Sequence, residues 1–139
     1  MAKILLGIIF CFCATWCFAG IMHAPRRALF PSSVNAAAGY LVFTLLVRLG
    51  EPRLGYFFGT LVIAVLGEYC ARRIKMPSNI FIFPGVIPIV PGFDLYQTLS
   101  AFVQNNYIDA MEIGANAITN IGAMSIAIAL VGIFSSKRK

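Results

Sequence analysis

Acidic residues are scarce: five among 139, against eleven lysines and arginines, and charged residues of both signs make up only 12% of the chain. A soluble domain carries roughly 25%. Since 60% of the residues are apolar, too little polar surface remains to coat a globule, and lipid must be part of the solvent. Histidine occurs once, at His23, and the four cysteines (Cys11, Cys13, Cys17 and Cys70) contain no Cys-x-x-Cys pair. Zinc and dithiol spacings are therefore missing, and the thiols read as small buried hydrophobes. Serine–histidine, metal-ligand and paired-carboxylate sets are missing too, so the sequence does not read as an enzyme and calls for no cofactor. The net charge of +6 comes from short clusters between oily runs, not from a basic stripe, which argues against nucleic acid as a partner.

What is present is oily sequence in lengths suited to a bilayer. A span needs about 20 residues, so five spans with short loops fill nearly the whole of residues 1–139 as a single integral-membrane domain. The expected fold is an all-α polytopic membrane bundle whose fourth span is broken. Residues 4–24 form the first run, and its apolar stretch outlasts a signal-peptide core, favouring a retained span. Pro31 is expected to end the following basic loop, with Ser32 or Ser33 capping a second helix from about Val34 to Leu49. That helix is the least apolar of the set, and its Ala36–Gly39 half suits close packing. A third span is expected from about Leu54 to Ala71, opening with Gly55 and Gly59. Glu68 near its end stands four residues before Arg72, either as an interfacial ion pair or as an intramembrane carboxylate.

The central stretch, Pro84-Gly85-Val86-Ile87-Pro88-Ile89-Val90-Pro91-Gly92, cannot continue as a straight helix, because each proline removes a donor and crowds the preceding turn. Irregular backbone at membrane depth survives only inside protein or beside a wet cavity, and broken spans are how many secondary transporters build a site. Pro84, Gly85, Pro88, Pro91 and Gly92 are therefore candidates for a substrate path. A half-helix is expected over Ser78–Phe83. Asp94, three residues before Gln97, resembles a capping box opening a second one and is also a candidate contact. Asn105, Asn106, Asp109 and Glu112 read as a polar loop before a last span from about Ala110 to Phe134. In that span Asn116 and Asn120 share a face and join the candidates, as does Glu68.

Cations choose between a crossing and a re-entrant hairpin. If the broken stretch crosses, Arg26, Arg27, Arg72, Arg73, Lys75, Lys137, Arg138 and Lys139 share one face, against Lys3, Arg48 and Arg53 on the other, eight to three. If it turns back, the split is five to six. Cytoplasmic loops carry the excess, so the expectation is five spans, N-terminus outside and C-terminus cytoplasmic.

Pro25-Arg26-Arg27-Ala28-Leu29 followed by a small-residue helix with Gly39, and Ile87-Pro88-Ile89-Val90-Pro91-Gly92 with Tyr96 behind it, resemble two signatures of the threonine/serine exporter family. The similarity covers nearly the whole chain and corresponds to the second half of the fused exporters. It implies a bacterial cell-membrane carrier exporting threonine and serine in some members and succinate in others. It also implies a larger membrane subunit supplying the first half, and Pro88, Pro91, Gly92 and Tyr96 as site-shaping positions. A proton or sodium ion is the candidate coupling ion. The alternative is a non-transporting scaffold that stabilises a separate carrier.

Overall fold

The structure is a computed structural model that describes residues 2–136. Lys137, Arg138 and Lys139, three of the cations in the topology count, lie outside the described residues, as does the side chain of Lys3. The helices are α1 (Ala2–Ile21), α2 (Arg26–Arg48), α3 (Pro52–Ile74), α4 (Asn79–Val86), α5 (Gly92–Val103) and α6 (Tyr107–Ser136), with a 3₁₀ turn over Ile87–Ile89 between α4 and α5. Helix α1, α2, α3 and α6 are each long and apolar enough to cross a membrane, α2 being the least apolar. The segments Asn79–Ile89 and Gly92–Val103 pass the same test as a pair bent by 53°. Helix alone satisfies every backbone group within one oily segment, and no strand occurs among the described residues.

Helix α2 and α3 form the centre, an antiparallel hairpin closed by Gly50 at φ +90°. Residues without side chains face one another across it. A Cβ on Gly39 would lie 2.3 Å from Ile63 Cγ1 and 2.9 Å from the Gly59 carbonyl, and one on Gly55 would lie 3.1 Å from the Phe43 carbonyl. With no hydrophobic drive between helices in lipid, close backbone approach is what holds such a pair. Helix α4 lies over both: Phe81 packs with Ala28 and Ala71, and Ile89 packs with Ile63 and Met124 of α6. Helix α1 covers the outer side of α2, Gly7 admitting the Tyr40 ring. Among the described residues, α5 packs against α6 alone.

Two polar links set the direction of α6. Arg53 donates to Asn116 Oδ1 at 3.4 Å, and Arg72 donates to the Ser135 carbonyl at 2.9 Å. Both join residues 63 apart, so α3 and α6 run parallel in one register. The chain must therefore change sides between them, and the bent α4–α5 pair makes that crossing, the fifth. The Arg26–Arg27 turn, the Arg72–Lys75 turn and the end of α6 share one face; Arg48 and Arg53 share the other.

Several expected boundaries are corrected. Helix α2 begins at Arg26, with Pro31 inside it. Ser32 and Ser33 cap nothing; their hydroxyls donate to the Ala28 and Leu29 carbonyls at 2.8 and 3.0 Å. Pro31 lies in the second turn and leaves the Arg27 carbonyl without its intrahelical donor. Helix α4 continues through Pro84 to Val86, beyond the expected Phe83. Asp94 makes no side-chain cap: Pro91 holds that position, and Asp94 is already in the first turn of α5. Asp109 and Glu112 belong to α6, which starts at Tyr107.

Gly39→Ala is expected to overpack the α2–α3 seam and destabilise it by about 1–3 kcal/mol, read as a lowered unfolding midpoint in detergent. Gly20→Ala, with nothing within 4 Å of the added Cβ, leaves the midpoint unchanged. In intact membranes, single cysteines at positions 75 and 50 should label from opposite faces, and a C-terminal tag should report with position 75.

Candidate functional site

Pro84 has no N–H to offer the Ile80 carbonyl four residues back. Helix α2 supplies the substitute. The Ser32 hydroxyl, buried on α2, lies 3.3 Å from Ile80 O besides its bond to Ala28. One turn on, Asn35 Nδ2 donates to Ile63 O of α3 at 2.9 Å and lies 3.5 Å from Phe81 O of α4. Gly67 and Gly85 make room for this carboxamide, since a Cβ on either would lie 3.3 or 3.7 Å from Nδ2. Pro84 and Gly85 are buried within this contact.

The chain then tightens and breaks. Pro88 sits in the 3₁₀ turn, and Val90 N–H still reaches the Val86 and Ile87 carbonyls at 3.3 Å. At Pro91 (φ −73°, ψ 61°) the Gly92 N–H bonds back to the Val90 carbonyl at 2.7 Å, the geometry of an inverse γ-turn. Helix α5 starts there, leaving the N–H groups of Phe93 and Asp94 at a free helix N-terminus. Gly85 is the sterically required glycine of the stretch; a Cβ on Gly92 meets nothing within 4 Å.

The remaining candidates are spread over the bundle. Asp94 is half-buried within electrostatic reach of Tyr56. Tyr96 is 67% exposed and lines a groove of about 300 Å³ between α5 and α6 with Gln97, Ser100 and Asp109. Asn116 accepts from Arg53 near the start of α3. Asn120 is buried and, by the α3–α6 register, is level with Phe57. Glu68 stands apart at the opposite end, bonded to Arg72 at 3.3 Å and to the Ser135 hydroxyl. It borders a pocket of about 310 Å³ with Ser78 and Asn79. Another pocket, of about 190 Å³, reaches Pro84 from the Met22–Pro25 turn and includes His23.

Sequence reasoning passed over Thr15, Asn35 and Thr60, polar side chains that the core encloses. Asn35 and Thr60 are 2% and 0% exposed, and Asn35 Oδ1 and Thr60 Oγ1 have no hydrogen-bond partner among the described residues. Ser32 and Ser33, read as caps, are buried as well. A polar residue inside a small-residue helix with proline close before it was the available signal.

If Ser32 stands in for the donor that Pro84 lacks, the two positions are coupled. Ser32→Ala should lower the unfolding midpoint in the native background and have less effect beside Pro84→Ala, where a backbone N–H returns to Ile80. Additive changes in a double-mutant cycle would contradict the coupling.

The family described as "Threonine/Serine exporter, ThrE" matches residues 7–134. An uncharacterized protein of Haemophilus influenzae (strain ATCC 51907 / DSM 11121 / KW20 / Rd) is 28% identical over 148 aligned residues, covering 100% of this chain and 50% of its own length. This chain thus spans about half the length of that curated relative. No solved structure matches. With nearly all its residues inside the match, and with the helices of a multi-pass membrane protein, the chain belongs to the threonine/serine exporter family of transport proteins.

Proposed function

We propose that the chain is one half of a secondary exporter of small polar metabolites, threonine and serine or succinate-type carboxylates, working by alternating access around the α4–α5 break. The observation that carries this reading is the inverse γ-turn at Pro91, a helix interruption within a span of a chain in an exporter family. The N-terminus of α5 offers a positive dipole end and unpaired N–H groups to a substrate carboxylate. Pro84, Gly85, Pro88, Pro91 and Gly92 shape the path. Asp94 and Tyr96 stand near its α5 end, and Asn116 and Asn120 add neutral hydrogen bonds from α6. Glu68, far from the break, serves the opposite mouth. A proton or sodium ion drives the cycle.

The other half is supplied by a larger membrane subunit, a reading supported by a relative of twice this length. The cation distribution favours a bacterial cytoplasmic membrane with the N-terminus outside and the C-terminus inside. Pro91→Ala restores a donor at the break and favours one continuous helix. Efflux of labelled serine, threonine or succinate from cells expressing both halves should fall at least about tenfold with this variant and with Pro88→Ala, while membrane insertion persists. Undiminished efflux from both proline variants, or full flux from the larger subunit alone, would favour a scaffold.

A further inference from the structure

Asn35 braces α4 through its amide nitrogen, but its amide oxygen has no part in that bracing. It lies opposite Ile63, the middle residue of the 23-residue α3, and so near mid-depth of the bundle. Its side chain is enclosed by α2, α3 and α4 at 2% exposure. Both Nδ2 hydrogens are directed to carbonyls, at Ile63 and Phe81. Turning the amide over would set its oxygen against those two acceptors, so the hydrogen-bond pattern fixes its orientation. All remaining capacity is at Oδ1, which accepts from nothing among the described residues. Apolar residues of that volume would fill the same place without an unanswered acceptor.

What covers the amide is helix α4 and the backbone of α3. Gly67 and Gly85 present only backbone to it. Helix α4, which closes over it, leads through the 3₁₀ turn to the Pro91 γ-turn, and a pocket of about 190 Å³ lies between it and the Met22–Pro25 turn. A displacement of α4 into that space, hinged at Pro91, would open the face of Asn35 that α4 covers.

We propose that Asn35 is a substrate-binding residue, its free amide oxygen accepting a hydrogen from the ammonium or hydroxyl group of a hydroxy-amino acid when α4 moves aside. The proposal rests on the exporter reading and narrows it. A dicarboxylate at neutral pH brings only acceptors and has nothing to give Oδ1, whereas serine and threonine bring an ammonium and a hydroxyl.

The test is thermal unfolding of the purified chain in detergent, together with its other half where that is needed for folding. L-serine, L-threonine and succinate are titrated separately. Serine and threonine are expected to raise the unfolding midpoint of the native protein, and succinate to leave it in place. Asn35→Leu should need at least about tenfold more amino acid for the same rise, with Asn35→Ala as the second variant if the first does not fold. Equal stabilisation of native protein and variant would overturn the proposal. So would a native protein that responds to succinate as strongly as to serine, a comparison that needs no variant. Counterflow of labelled serine in vesicles separates the two ideas. Binding lost in Asn35→Leu but without native counterflow would sink the exporter reading and keep the site. Native counterflow with an unaffected variant would sink the site alone.

Discussion

A carbonyl left without its donor organises this bundle. Pro84 withholds an N–H from Ile80 O inside an oily helix. The Ser32 hydroxyl and Asn35 amide on α2 turn towards the interrupted helix and hold it against the α2–α3 hairpin. Each contact is modest, since polar links between membrane helices average about 0.6 kcal/mol. Their value lies in where they act: they bind α4 laterally at the level where its own ladder is weakest. Beyond Val86 no such donor occurs among the described residues, and there the chain tightens into a 3₁₀ turn and then breaks.

The small residues serve the same end. Gly39, Gly59, Gly67 and Gly85 lie where helices approach too closely for a Cβ, and that approach brings Asn35 within reach of carbonyls on two other helices. A bulkier seam would hold the helices apart and leave Ser32 and Asn35 as isolated polar groups. Glycine packing and polar satisfaction are thus one arrangement. Helix α5, beyond the break, leans among the described residues only on α6, where Gly114 admits Thr98.

Much of this was legible in the residues. Scarce charge and long apolar runs announced a membrane bundle. The three prolines marked the weak span, and the cation clusters chose a crossing that the parallel α3–α6 register bears out. Boundaries were harder because proline has two meanings: Pro31 and Pro84 both sit within helices, and for Pro84 the Ser32 hydroxyl stands in for the missing donor. A linear sequence does not show which distant side chain will do so. Ser32 illustrates the difficulty, since a serine after a proline is a sound cap signal until a carbonyl 48 residues away competes for its hydroxyl. Asn35 and Thr60 escaped notice for a related reason, since only the assembled helices reveal that their oxygens are enclosed and unanswered.

Five crossings is an odd number, and it constrains how such a unit can be doubled. The chain enters on one side of the bilayer and leaves on the other, so a second five-crossing unit joined by a short linker begins on the side where the first one ended. It must be built upside down. A polypeptide of twice this length would then pair two units about a pseudo-two-fold axis lying in the plane of the membrane, with their broken helices entering from opposite surfaces. An even count would have given two units facing the same way.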